Sequence, residues 1–267
     1  MVKAKPYATL YPVTKLYDQI ARFFTAEYAN FLDDLPMIQA YAQRTGGPLL
    51  ELGCGSGRLL IPLARAGYAV TGLDSSQEML RIAETRAREA GVADRVTLIH
   101  GDFATAPLAG PYRFAFVAMD TFTHLLTQAA QLRALRHWHH YLHPDGLLLI
   151  DVFHPDVAQL AALDGRLEVD KSWSDPETGH TVLKQLSRTV ELARQIMHVV
   201  LLYDEIAADG LVRRTLVSFD LRYLWRYEAE LLLKMAGFTL EAIFGDWQLG
   251  PFQDTSDRMI LVARPGT

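Results

Sequence analysis

Three glycines at alternate positions, Gly53, Gly55 and Gly57, with Asp74 about 20 residues after the first, have the types and spacing to hold a nucleotide cofactor. Glycine lets a backbone pass close to a ligand, and a carboxylate at the next strand end can accept hydrogen bonds from ribose hydroxyls. That chemistry needs a strand before the loop and a helix after it. Leu49, Leu50 and Leu52 form a short apolar run suited to a buried parallel strand. Leu59, Leu60, Leu63 and Ala64 then recur at helical spacing, so free N–H groups at a helix start face whatever the loop binds. Pro62 fits the first turn or so, where an N–H has no helical partner. Residues 69–73 read as a second strand that delivers Asp74. Cys54, inside the loop, reads as a small filler beside the ligand rather than a reactive thiol.

The following segments continue the alternation of helix and strand. Ser75 and Glu78 predict a capping box for a helix over 75–90, which Gly91 stops. Residues 95–100 predict a third strand, with Gly101-Asp102-Phe103 directly after it. Residues 114–119 predict a fourth, and Asp120-Thr121-Phe122-Thr123-His124 leaves its carboxyl end, where open α/β sheets bind ligands. His124 is a candidate general base or acceptor-orienting group, because imidazole titrates near neutral pH; the alternative is a satisfied structural histidine. A helix over 125–142 ends in His137, His139, His140 and His143. No carboxylate or cysteine completes a metal site with them, so no metal is expected. A turn at 144–146 and a strand over 147–152 follow.

Between residues 154 and 221 the period changes to two. Residues 182–192, 196–206 and 211–221 predict consecutive antiparallel strands, with Asp209-Gly210 at a hairpin. Helical spacing returns over 225–236 and Gly237 stops it, leaving strands at 238–244 and 259–263. Half of the 267 residues are hydrophobic, enough for a sizeable core, and a net charge of −5 argues against a nucleic-acid surface. The single cysteine allows no internal disulfide, and neither a signal-peptide pattern nor a membrane-length apolar run is present. A soluble cytoplasmic protein with no nucleic-acid or membrane partner is expected.

The segment Glu51-Leu52-Gly53-Cys54-Gly55-Ser56-Gly57 resembles motif I of the class I S-adenosylmethionine-dependent methyltransferases. A nicotinamide fingerprint would place its third glycine where this chain has Arg58. The resemblance implies an α/β fold: a Rossmann-like, doubly wound, seven-stranded and mostly parallel sheet with a C-terminal antiparallel strand, plus an inserted antiparallel β segment. It implies S-adenosyl-L-methionine as cofactor, held by Tyr17, Glu51, Gly53, Gly55, Gly57, Asp74, Ser75, Met79, Asp102, Phe103 and Met119. In it Tyr17 lies near the methionine part, Asp102 accepts from the adenine amino group and Phe103 lies along the ring. The implied division is a helical lid at 1–47, a cofactor domain at 48–153 and 222–267, and an insert at 154–221 that covers the substrate or joins a homodimer. The alternative for 1–47 is a pair of helices packed on the domain.

The expected reaction is in-line methyl transfer to N or O of a small molecule, with His124 as the catalytic candidate and Tyr11, Asp120, Phe122, Trp247 and Phe252 around the acceptor. Trp173, Asp246 and Asp254 add to that lining. Aromatics with carboxylates suit a neutral or cationic acceptor. The absence of an Asn-Pro-Pro-Tyr or Asp-Pro-Pro-Tyr motif makes nucleic-acid base methylation unlike this chain. Two other readings share the loop: an NAD(P)-dependent oxidoreductase and a non-catalytic S-adenosylmethionine-binding protein.

Overall fold

The structure is a computed structural model that describes residues 13–266. In chain order its elements are α1 (Val13–Glu27), α2 (Leu35–Thr45), β1 (Leu49–Leu52), α3 (Leu60–Arg65), β2 (Val70–Asp74), α4 (Gln77–Glu89), β3 (Val96–His100), β4 (Tyr112–Val117), α5 (Gln128–Tyr141), β5 (Leu142–Phe153), α6 (Val157–Ala162), β6 (Asp164–Ser174), β7 (Thr181–Glu191), β8 (Ile196–Ile206), β9 (Val212–Arg222), α7 (Arg226–Met235), β10 (Phe238–Phe244) and β11 (Arg258–Pro265). They divide into two compact units. The described residues up to Asn30 join Asp156–Arg222 in one, and Phe31–Pro155 joins the chain from Tyr223 onward in the other. The N-terminal segment is thereby split, α1 going to the first unit and α2 to the second.

The second unit is built on a seven-stranded sheet in the order β10-β11-β5-β4-β1-β2-β3. Only β11 is reversed, running antiparallel to both β5 and β10. This is the expected Rossmann-like sheet with its late antiparallel strand. Strands buried on both faces must be apolar at successive positions, and the core shows the two-residue alternation directly. Leu148, Ile150 and Val152 of β5 and Met259, Leu261 and Ala263 of β11 pack on one face around Trp138. Leu147, Leu149, Ile260 and Val262 pack on the other, with Leu49, Phe114 and Phe116. Because β1, β2, β4 and β5 are parallel, their carboxyl ends share one edge.

Several boundaries differ from the sequence reading for identifiable reasons. The cap of α4 is Ser76, whose hydroxyl accepts from Met79 N at 3.1 Å, and not Ser75. The Asp74 carboxylate already takes Ser76 N, which fixes the residue that starts the helix. Helix α5 begins at Gln128, capped by Thr127, after a short 3-10 turn over Thr121–His124. The expected turn at 144–146 is an irregularity within β5, across which the pairing jumps from Tyr112↔Leu142 to Phe114↔Leu147.

The first unit carries an antiparallel sheet, β6-β7-β8-β9. Its three later strands match the alternating segments of the sequence, but β6 was not foreseen. That strand is exposed at nearly every position, Leu167 and Val169 included, so its short alternation buries no apolar face. Helix α1 buries Leu16, Ile20 and Phe23, an i, i+4, i+7 stripe, and Phe23 stacks on Tyr203 of β8 with ring centroids 5.0 Å apart. Lys184 of β7 and Glu27 of α1 form a buried ion pair at 2.8 Å. Among the described residues no helix is long and apolar enough to cross a membrane.

Candidate functional site

The glycine loop is held by backbone and one carboxylate. Gly53 N and Cys54 N both donate to Leu73 O of β2, and Gly55 N donates to Asp74 Oδ2 at 2.8 Å. Asp74 Oδ1 takes Ser76 N at 2.8 Å. One side chain therefore ties the loop to the start of α4 while sitting at the strand end expected for ribose contact. Each of the three glycines is left-handed, and each for its own reason. A Cβ on Gly53 would overlap Thr121, and one on Gly57 would press on Ala83 at 3.3 Å, so these two serve packing. A Cβ on Gly55 would meet nothing described within 4 Å. Its backbone is the open part of the loop.

Cys54 is a filler. It is buried, burial pushes its thiol well up, and a Cβ on Gly72 would lie 2.7 Å from its sulfur. Glu51, also buried, takes a hydrogen bond from the Leu60 backbone, yet its Oε2 has no partner among the described residues. Burial raises its carboxyl well above the usual range, aided by Asp34 and Asp74, while Arg58 opposes the shift. A buried acceptor without a donor costs on the order of 1–3 kcal/mol, so an incoming cationic or N–H group has a place there. Arg58 forms a two-pronged pair with Asp34, with both contacts at 2.6 Å.

The remaining cofactor candidates are spread over three elements. Met79 is buried in the first turn of α4, and the Ser75 carbonyl is bonded by His100 Nε2 at 3.1 Å. Asp102 is exposed beyond β3, and its Oδ1 accepts from Ala104 N in a tight turn. Phe103 is half-buried against Trp138, whose indole N–H donates to Phe103 O at 2.8 Å. Tyr17 lies in the other unit, half-buried on α1 and edge-on to Phe24. Tyr11 falls outside the described residues.

Beyond β4 the chain turns on two consecutive left-handed residues, Met119 (φ 53°) and Asp120 (φ 64°). Such backbone costs on the order of 1–3 kcal/mol per residue for non-glycines and persists only where the surroundings enforce it. Here Met119 N donates to Asp151 Oδ2, Asp120 N to Asp151 O, and Phe153 N to Asp120 Oδ1 at 2.6 Å. Arg258 of β11 spans both acids, with Nη2 2.6 Å from Asp151 Oδ1 and 3.1 Å from Asp120 Oδ1. Trp247 Nε1 donates to Asp151 Oδ2, and its ring lies under the Arg258 guanidinium. Burial raises the Asp151 carboxyl against the pull of Arg258. Asp151 and Arg258 were missed from the sequence. The available signal was an acid inside the apolar run of β5, since a fully buried aspartate requires a partner.

The acceptor candidates sit differently from their expected use. Phe122 is buried in the core, edge-on to Trp138. Trp247 is half-buried, edge-on to Phe31, and Phe252 is half-buried beside His154. Asp120 is neutralised by Arg258, and Asp246 caps its own loop through Gln248 N and Gly250 N. Both carboxylates thus have partners within the protein, a shared guanidinium for Asp120 and backbone N–H groups for Asp246. Trp173 lies in the other unit, near Tyr203. Burial pushes the His124 imidazole down to about 4, with a weaker opposing pull from Asp120. His124 is neutral at pH 7 and does not titrate between pH 6 and 9. His139 packs edge-on against Phe238.

A methyltransferase-domain family model matches residues 49–146, the stretch from β1 into β5 that carries the loop, Asp74 and Asp102. The chain is 30% identical over 139 residues to a ubiquinone biosynthesis O-methyltransferase of Caulobacter vibrioides, covering 52% of this chain and 54% of that one. It is 25% identical over 228 residues to a cypemycin N-terminal methyltransferase of a Streptomyces species, covering 84% and 86%. The chain spans about half the length of the first curated relatives it matches. Among solved structures, the CcbJ methyltransferase of Streptomyces caelestis superposes with a TM-score of 0.81 at 24% identity, covering 96% of this chain and all of that one. The loop tied to Asp74, the ion-paired Arg58 in place of a third nicotinamide-type glycine, the reversed β11 and these likenesses converge. Residues 49–146 match a methyltransferase-domain family, and the chain has the fold of the methyltransferase structures it resembles.

Proposed function

We propose that this protein transfers a methyl group from S-adenosylmethionine to the N or O of a small-molecule acceptor. The carrying observation is the loop itself. Gly55 leaves its backbone open while Asp74 holds it, and Glu51 keeps a buried carboxylate oxygen unmet. These features fit the cofactor: Gly55 permits close approach, Glu51 suits the ammonium of the methionine part, and Asp74, Asp102 and Phe103 suit the ribose and adenine. When bound, S-adenosylmethionine supplies a methyl group already activated by its positive sulfur. The protein's work is then to hold a nucleophile in line near 3 Å and to exclude water.

His124 bears on N against O. An imidazole held near 4 is neutral at pH 7 but a poor proton acceptor, so it can accept a hydrogen bond and orient an acceptor more readily than deprotonate a hydroxyl. An amine needs only to be unprotonated to attack. This favours an amine acceptor, with the hydroxyl as the second outcome. The test is calorimetry with S-adenosylhomocysteine and NADH, followed by Asp74→Asn. Wild type is expected to bind only the former, and Asp74→Asn to weaken it more than tenfold. Binding of NADH alone would overturn the reading. Labelled methyl transfer to amine and hydroxyl panels then decides the acceptor, with a pH profile that shows no histidine inflection between 6 and 9.

A further inference from the structure

We propose that Arg258 is a positioning residue for the cofactor site, acting through Asp120 on the glycine loop; this rests on the methyltransferase reading above. Arg258 begins β11, pairs in register with Phe153 at the end of β5, and keeps only 12% of its side chain exposed. From there it bonds two acids on different elements. Asp151 Oδ1 lies 2.8 Å from its Nε and 2.6 Å from its Nη2, and Asp120 Oδ1 lies 3.1 Å from Nη2. No lysine could make the same contacts, because a planar guanidinium presents several donors in a fixed fork and an ammonium is a single point.

The left-handed pair Met119–Asp120 needs enforcement, and much of it passes through this cluster, beside the turn's own bonds from Thr121 N to Ala118 O and Thr123 to Asp120 O. Asp151 holds Met119 N and Asp120 N, Asp120 holds Phe153 N, and Arg258 holds both carboxylates. The next residue carries the effect onward. Thr121 packs so closely on Gly53 that a methyl group there would overlap it. A contiguous chain of contacts therefore runs from Arg258 to Asp120, across one peptide to Thr121, and onto the first glycine of the loop. A turn released from Arg258 would no longer seat Thr121, and the loop that Asp74 ties down from one side would lose its support on the other.

Two further features distinguish this from a general structural ion pair. The Arg58–Asp34 pair is equally buried and two-pronged, yet its carboxylate holds no residue of a left-handed non-glycine turn. The Trp247 ring rests against the guanidinium and its N–H on Asp151, so an indole reports on the cluster.

The experiment measures S-adenosylhomocysteine affinity by calorimetry in wild type, Arg258→Lys, Asp120→Asn and the double variant, well below each melting temperature. Arg258→Lys retains the charge beside Asp151 and so guards against misfolding, which circular dichroism and the Trp247 indole resonance check independently. The expected result is a roughly tenfold loss in each single variant and no further loss in the double, because both act on one contact. A product of the two losses would overturn the route through Asp120. Wild-type affinity in Arg258→Lys, with a lowered melting temperature, would reduce Arg258 to structure. Failure of wild type itself to bind would instead sink the methyltransferase reading on which the proposal stands. If Arg258→Lys fails to fold, the Asp120→Asn affinity alone decides: unchanged binding overturns the proposal.

Discussion

The two sheets of this molecule solve the same burial problem with different materials. In the second unit β1 is buried at every position and β5 at seven consecutive ones, and charge enters the interior only at a few points, chiefly Asp34 with Arg58 and Asp151 with Arg258. In the first unit β6 and much of β7 are exposed or half-buried, and ion pairs recur along the sheet. Glu27, Lys184 and Asp170 form one set, Arg22 with Asp175 and Glu205 a second, and His198 between Glu191 and Asp220 a third. A sheet covered on both faces draws its stability from apolar area, whereas a sheet covered on one face exposes the other and can stitch it with charge. The lesson is that among the described residues the buried ion pairs of the second unit are few and lie beyond the carboxyl ends of its parallel strands, whereas in the first unit ion pairs are distributed along the sheet.

The largest expected effect would break the apolar side of that contrast. Trp138 is fully buried, touches Phe103 and Phe122, and donates to Phe103 O. Trp138→Ala removes a large side chain from the centre of one core face and leaves a carbonyl without its donor. A loss of about 3–5 kcal/mol is expected in urea unfolding. A loss below about 1 kcal/mol would mean the second unit does not depend on this core face.

That core face was legible because Leu147–Ile150 and Met259–Ala263 are continuous apolar runs, as a strand buried on both faces requires. The loop was legible for a similar reason: few backbones besides a left-handed one require three glycines so close together. Strand β6 was not legible because Arg166, Glu168 and Asp170 alternate with Leu167 and Val169 only briefly before Lys171 breaks the pattern, and both apolar side chains stay exposed. The Asp120–Arg258–Asp151 cluster was hidden by distance along the chain, as Arg258 and Asp120 meet only because β11 inserts beside β5. Asp120 and Phe122 were recognised as lying beyond β4, but the left-handed turn decided where each points, one to Arg258 and one into the core.

A smaller effect sharpens the account of the second unit by separating a backbone cap from a neighbour of the same type. Ser76 is buried and accepts Met79 N, while Ser75 is half-buried and offers only its carbonyl, to His100. Ser76→Ala is expected to cost about 1 kcal/mol of stability, the usual loss for an N-cap. Ser75→Ala should stay within about 0.5 kcal/mol. Equal losses in thermal unfolding would show that the start of α4 is shared between them.

The smallest effect at neutral pH, and the one most specific to the first unit, concerns His198. Burial alone would lower its pKa, but hydrogen bonds to Asp220 Oδ1 at 2.7 Å and Glu191 Oε1 at 2.8 Å outweigh it and raise the value above the ordinary 6.5. Both ring nitrogens face carboxylates, so the protonated imidazole is the form that satisfies them. A raised folded pKa stabilises the protonated state, and that contribution is complete below the unfolded value near 6.5. It is lost as pH rises through the folded value, when the proton leaves and one of the two carboxylates is left facing a bare nitrogen. Glu191, whose own carboxyl is held low chiefly by His198, feels the same loss. Stability of the first unit should therefore decline from about pH 6.5 upward, and His198→Gln should flatten that decline while lowering stability at pH 6. Hydrogen exchange of β7, β8 and β9 amides at pH 6 and pH 8.5, corrected for the intrinsic rate, is the measurement. Equal protection at both values in wild type would show that the charge along this sheet is ornament to an apolar fold, and the contrast between the two units would fall with it.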